Sequence, residues 1–407
     1  MSKIIKKIVS VFLAALILIS AIYIGSTYYS YHFREYFSDS GNKNSTSKNS
    51  DVSSKSKKTD APIYDKYTTL LSEEEKAAYN AIYAALKSHR QTVTLNRALN
   101  SQQVFDIVNM AICFNPEIFW ADGNCSYSES GILTIEYTHT KDEAEKTEKA
   151  IQDKISLIFN QISDSNDDFE KSLALFDYIV LNTQYDYAAA QNTKENPRAS
   201  TIEGVFLDGK AICSGYAKAY QYLLKLSGID ALYVYGDAAV ENKMQSHAWV
   251  LQQIENEFYF TDPTWGDSFD DSSNFSSHIY FCINQDDLSK THTIEAEKFE
   301  FINCNYTDNS YFKHEGLLIE EYDSEIIKNA LKRDFDTING GNVNPGGIEF
   351  KFTNNEQYQK AYKKLFEDAE LYTIVLSVDL FSKYINCSNT KYSLDDKNHV
   401  ITIFYEK

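Results

Sequence analysis

The sequence predicts an α+β fold, and three observations predict it. From Cys213, residues Tyr216, Ala217, Tyr220, Leu223 and Leu224 fall three and four apart, the apolar stripe of a buried helix, and Gly228 supplies a stop. Residues 246–254 and 258–264 are rich in β-branched, aromatic and other apolar side chains on either side of Glu255-Asn256, where a two-residue turn makes a hairpin. Near the C-terminus Ile348, Phe350 and Phe352 alternate with polar residues. A helical face of Tyr358, Ala361, Tyr362, Leu365 and Phe366 follows, and 400–405 reads as a closing strand.

Taken in order, the chain begins with Lys3, Lys6 and Lys7 ahead of an almost wholly apolar run over 8–24. That run sits at the short end of a membrane span, which needs about 17–25 residues. The lysines predict a cytoplasmic N-terminus and an exported remainder. Residues 1–38 are therefore expected to be a membrane anchor. A cleaved signal peptide is the alternative, although no small-x-small site follows the apolar run. Residues 39–61 are mostly Ser, Lys, Asn and Asp with no aromatic, a flexible linker by composition.

Residues 62–164 read as a helical upstream region with a strand. Ser72 and Glu75 make a capping box for a helix to about His89. Further helices are expected near 101–113, 141–162 and 168–184, with one strand where Leu133, Ile135 and Tyr137 alternate with polar residues. Trp120 is expected in the core. Residues 165–300 hold the helix from Cys213 and strands near 231–236, 247–254 and 258–264. Residues 311–407 form a small α+β accessory domain.

The chemistry concentrates in 204–267. Cys213 lies in Gly-Lys-Ala-Ile-Cys-Ser-Gly-Tyr-Ala at 209–217, His247 in Ser-His-Ala-Trp-Val, and Asp262 in Phe-Thr-Asp-Pro-Thr-Trp. A thiolate rather than a thiol is the nucleophile, and a helix N-terminus favours negative charge on its first residue. If the turn is Glu255-Asn256, strand register puts Trp249 opposite Asp262 and His247 opposite Thr264, so His247 and Asp262 share a face as diagonal neighbours. A three-residue loop would put them on opposite faces. Cys213 is then the nucleophile, His247 the base that later protonates the leaving amine, and Asp262 the group that orients the imidazole. The backbone N–H of Cys213 is the first oxyanion donor; the second is not identified.

In this order, at spacings of 34 and then 15 residues, the three motifs resemble the transglutaminase-like branch of the papain-like cysteine enzymes. The resemblance implies a cysteine-bearing helix packed on an antiparallel sheet, and an acyl-enzyme resolved by water or an amine. It also places aromatics at Tyr216, Trp249 and Trp265, which are expected to bind substrate. Asn115-Pro116-Glu117-Ile118-Phe119-Trp120 is similar to a segment of bacterial members that carry such an upstream region. Gly266 departs from the pattern, since a second acidic residue is frequent there.

The formal net charge of −19 argues against nucleic acid or an anionic membrane surface as partner. A peptide or protein substrate, cell-wall peptides among them, is the expected partner, with the N-terminal helix contacting the membrane. The six cysteines cannot all pair once Cys213 is kept free, and Cys113–Cys125 or Cys282–Cys304 are the conceivable bridges. Buried free thiols are the default reading. No CxxC or HExxH occurs, so no metal or cofactor is expected. His278 and His292 are read as ordinary surface or structural residues. The function expected is exported, thiol-dependent amide or acyl chemistry, with hydrolysis favoured over transglutamination. The alternative is a cell-surface binding or scaffolding module that keeps the fold without turnover.

Overall fold

The computed structural model describes residues 67–160, 167–240, 243–267, 275–294, 303–340, 345–377, 381–386 and 390–405. The expected anchor at 1–38 and linker at 39–61 lie outside the described residues. Among the described residues no helix is long and apolar enough to cross a membrane.

Helix α1 (Glu73–Lys87) opens on the capping box read from the sequence: Glu75 N–H donates to Ser72 Oγ at 3.2 Å, and Ser72 N–H to Glu75 Oε2 at 2.9 Å. Its buried face, Ala78, Tyr79, Ile82, Ala85 and Leu86, faces a second helix, α2 (Ser101–Cys113). Trp120 is a core residue, and its indole N–H donates to Leu86 O at 3.0 Å. Where one strand was expected there are three: β1 (Thr92–Thr94), β2 (Cys125–Tyr127) and β3 (Ile132–Ile135), paired antiparallel in the order β1-β3-β2. Two of them are only three residues long, too short for alternation to show in the sequence.

Helices α3 (Lys141–Phe159) and α4 (Asp168–Asn182) lead to a short parallel pair, β4 (Gln184–Tyr185) with β5 (Lys210–Ala211). This pair delivers the chain to α5 (Cys213–Leu226), whose five stripe residues Tyr216, Ala217, Tyr220, Leu223 and Leu224 are all fully buried. Gly228 ends it in the left-handed region at φ +86°, and Ile229 N–H returns to Leu224 O at 2.9 Å. The helix start is wedged tightly. A Cβ on Gly215 would stand 2.3 Å from Ala199 O and 2.9 Å from Ala211 Cβ. Gly215→Ala is therefore expected to cost about 3 kcal/mol by overpacking, read from chemical denaturation.

Four antiparallel strands follow in the order β8-β7-β6-β9: β6 (Ala231–Val240), β7 (Lys243–Ile254), β8 (Glu257–Thr261) and β9 (His292–Ile294). The turn is the two-residue one, with Ile254 paired to Glu257 and positive φ at Glu255 (52°) and Asn256 (72°). The strand expected over 258–264 stops at Thr261. Pro263 has no N–H to give a ladder and instead starts a single helical turn, α6 (Pro263–Gly266), capped by Asp262.

Helices α4 and α5 pack against this sheet through a buried polar knot. Ser172 Oγ lies 2.7 Å from Tyr220 OH and donates to Gln252 Oε1 at 2.8 Å, while Gln252 Nε2 donates to Thr261 Oγ1 at 2.9 Å. Four elements, α4, α5, β7 and β8, are thus fixed by one hydrogen-bonded cluster in a low-dielectric core, where directional partners resist sliding.

The C-terminal part holds β10 (Leu318–Ile319), α7 (Ser324–Asn339), β11 (Gly347–Phe352), α8 (Asn355–Tyr362), β12 (Tyr392–Asp395) and β13 (Val400–Phe404). The sheet order is β10-β11-β13-β12, so the strand–helix–strand unit read from the sequence gains two further strands. Its buried Glu349 accepts from Ser277 Oγ at 2.7 Å and from His278 N–H at 2.9 Å, and His278 Nε2 reaches Asp177 Oδ1 at 2.8 Å. His278 is accordingly a structural tie between the C-terminal sheet and α4. Cys113, Cys125, Cys213, Cys282 and Cys304 are all free thiols; Cys387 lies outside the described residues.

Candidate active site

Cys213 is the first residue of α5 and is half-buried. A helix of this length leaves its first N–H groups without intrahelical acceptors, so they and the helix dipole favour an anion at the Cys213 side chain. His247 comes from the middle of β7 and is buried. Asp262 follows the last residue of β8 and is buried with its carboxylate fully inaccessible.

The imidazole and the carboxylate meet directly, with His247 Nε2 2.7 Å from Asp262 Oδ2. Register explains it: β7 and β8 pair Val250 with Thr261, which sets Asp262 level with Trp249 and diagonal to His247 on one face. With Nε2 committed to Asp262, Nδ1 is the ring nitrogen left to serve the Cys213 side chain, whose influence adds to that of Asp262 in holding the imidazole protonated. The structure therefore brings all three expected residues into one chain of contacts. Asp262 is held from behind as well, because its Oδ1 accepts from the N–H groups of Thr264 at 2.9 Å and Trp265 at 3.3 Å as the cap of α6.

Burial alone would lower the His247 pKa, but the charge and hydrogen bond of Asp262, with Cys213 adding to them, outweigh it and raise it to about 10. Burial would likewise raise Asp262, and His247 and His292 together reverse that and hold it below the usual carboxylate range. The linkage has a definite sign. A proton bound more tightly by the folded His247 contributes stability fully below the unfolded pKa of about 6.5, and that contribution is lost as pH climbs through about 10. The melting temperature is expected to fall between pH 6.5 and 10, and the decline should flatten in His247→Gln.

The expected substrate-binding aromatics divide. Tyr216 and Trp249 are fully buried, so neither ring surface can meet a substrate, and that expectation is corrected. Tyr216 instead braces the site, its hydroxyl 2.5 Å from Asp267 Oδ2 and 2.9 Å from Thr183 O. Trp249 forms the floor under His247, the two rings stacked with centroids 6.0 Å apart. Trp265 stays partly exposed beside His247 at 5.9 Å. Gly266, the departure from the family pattern, has a steric cause here: a Cβ would stand 2.6 Å from Phe176 Cζ.

One site residue was missed. His292, read as an ordinary surface or structural residue, is buried with Nε2 3.3 Å from the same Asp262 Oδ2 that takes His247. Its Nδ1 lies 2.8 Å from Thr291 Oγ1. The only trace in the sequence is the short alternation His292-Thr293-Ile294, which becomes β9 at the far edge of the sheet. One ligand atom each from His247, Asp262 and His292 lie within 4.8 Å of one another, close enough to share a metal ion, and the same holds for Glu170, His314 and Glu315. In the first cluster an ion would displace two hydrogen bonds that already satisfy both rings.

Residues 155–266, which contain Cys213, His247 and Asp262, match the family described as the transglutaminase-like superfamily. Kyphoscoliosis peptidase of Homo sapiens is 26% identical over 137 residues, and that of Mus musculus 24% identical over 137. Each match covers 32% of this chain and 20% of the relative, so the likeness spans about a fifth of those proteins' length. A solved structure described as that of a TGase is 18% identical, with a TM-score of 0.26, and covers 41% of this chain and 48% of the other. The assignment rests on the family match rather than on that superposition. The chain thus carries a transglutaminase-like core of mixed helix and sheet, an α+β fold.

Proposed function

We propose that this chain cleaves or transfers acyl groups from amides of peptides or proteins through a thioester on Cys213, with hydrolysis the favoured outcome. A transglutaminase-like core points to thiol-dependent acyl chemistry in general. The observation that carries the finer reading is His247, whose Nε2 is anchored on Asp262 at 2.7 Å while Cys213, at a helix start, helps hold the imidazole protonated.

In this reading the thiolate accepts from His247 Nδ1–H in the resting enzyme. Its sulfur attacks the amide carbon, and the Cys213 backbone N–H donates to the developing oxyanion. His247 then passes its Nδ1 proton to the leaving nitrogen, the C–N bond breaks, and the acyl group stays on sulfur. Water enters next, gives a proton to His247 as its oxygen attacks the thioester, and the carboxylic acid leaves with the thiolate restored. An amine in place of water gives transamidation. Asp262 keeps the imidazole oriented and stabilises its cationic form throughout.

Export and membrane attachment through residues 1–38 belong to the same proposal, supported by the lysines and the apolar run at 8–24. The test is incubation of the protein with peptide and cell-wall-peptide libraries, with and without a primary amine. Mass spectrometry should find an acyl adduct on Cys213 and shortened or amine-tagged products, all absent from Cys213→Ala. Alkylation of Cys213 by iodoacetamide no faster than that of a free thiol, with no peptide changed, would overturn it.

A further inference from the structure

We propose that His292 is a positioning residue for this site: its Nε2–H holds Asp262 Oδ2 in place and charged while His247 hands its proton on. The inference rests on the function proposed above and assigns a part to a residue outside the Cys–His–Asp set.

An ionised carboxylate only accepts, so the His292 nitrogen 3.3 Å from Asp262 Oδ2 must carry hydrogen. The hydroxyl of Thr291, 2.8 Å from Nδ1, can donate to that nitrogen and so lock the neutral ring with its proton on Nε2. The ring itself is caged. Its centroid lies 4.5 Å from that of Trp265, 5.0 Å from Trp249 and 5.4 Å from Tyr280, and the residue is 3% exposed. A ring held on three sides by aromatics keeps its N–H aimed.

The need for such a donor follows from the reaction cycle. Asp262 is buried, and a buried carboxylate beside a neutral imidazole is driven to take up a proton. While His247 is an imidazolium its charge prevents this. Once His247 has protonated the leaving amine, that protection is gone for the lifetime of the acyl-enzyme. The two backbone N–H groups of α6 hold only Oδ1. Neutral His247 keeps one N–H on Oδ2 at that stage, and His292 adds the second donor there, which makes up for the lost charge. With Oδ1 as a pivot and Oδ2 pinned, the carboxylate stays ready to orient His247 as base for the incoming water.

Two variants of the full chain separate this part from simple packing. His292→Phe keeps an aromatic ring among Trp249, Trp265 and Tyr280 but removes the donor; His292→Gln keeps an N–H. Deacylation of Cys213 preloaded with p-nitrophenyl acetate, followed by mass spectrometry, is expected to slow about tenfold or more in His292→Phe, the weight of one hydrogen bond to a charged group. It should stay within about threefold of wild type in His292→Gln, with melting temperatures of both variants close to wild type. A folded His292→Phe that deacylates at the wild-type rate overturns the inference, and so does a His292→Gln that slows as much as His292→Phe.

Should wild-type Cys213 itself react no faster than a free thiol, the proposed function fails, and long-range proton–nitrogen NMR of the imidazoles decides the His292 question separately. The expected result is a slowly exchanging His247 Nε2–H that is lost in His292→Phe and kept in His292→Gln. An unchanged His247 signal in His292→Phe overturns the inference.

Discussion

Cys213→Ala is expected to abolish acyl transfer, lowering turnover by about a million-fold, because removing the nucleophile of such a relay costs about as much as removing the whole relay. The acyl adduct should vanish with it. Stability should hardly change, since the thiol is half-buried at the first position of α5 and alanine is a good helix former there. Product formation measured beside a denaturation curve checks both halves. A variant that unfolds instead would mean the thiol is a packing group.

Asp262→Ala should be damaging in both respects. Four N–H groups converge on this carboxylate: His247 Nε2 and His292 Nε2 on Oδ2, and the backbone of Thr264 and Trp265 on Oδ1. Removing it strands those donors in the core and removes the cap of α6, a loss of about 3–5 kcal/mol by denaturant titration. Asp262→Asn keeps the shape but offers an amide where a carboxylate is needed. It should hold more of the stability while turnover falls by about ten-thousand-fold through the wrong tautomer of His247. The contrast between alanine and asparagine separates structural loss from catalytic loss.

The central geometry was legible because each part had its own physical signature. The stripe from Tyr216 to Leu224 and the stop at Gly228 marked the helix. Parity across Glu255-Asn256 put His247 and Asp262 on one face, and the positive φ angles there match the turn that parity needed. The failures have physical causes too. Spacing marks Tyr216 and Trp249 as aromatics near the site but cannot tell a ring facing substrate from one in the wall, and both are fully buried. Strand propensity ran through Thr264, whereas the absent N–H of Pro263 and the capping carboxylate of Asp262 decided for a helical turn. His292 enters the site from the opposite edge of the sheet, a placement no local pattern encodes.

The tight turn at Glu255-Asn256 also bears on the order in which the site is made. Closing a two-residue loop pairs Ile254 with Glu257, and the ladder then zips back to Val250 and Thr261. Contacts so near in sequence cost little loop entropy and belong among the fastest to form. The helix carrying Cys213 comes from 34 residues upstream and His292 from 30 residues downstream of their partners His247 and Asp262. During folding the His247–Asp262 pair is therefore expected to take shape before the Cys213 sulfur reaches it, the thiol meeting the imidazole only once helix and sheet have docked.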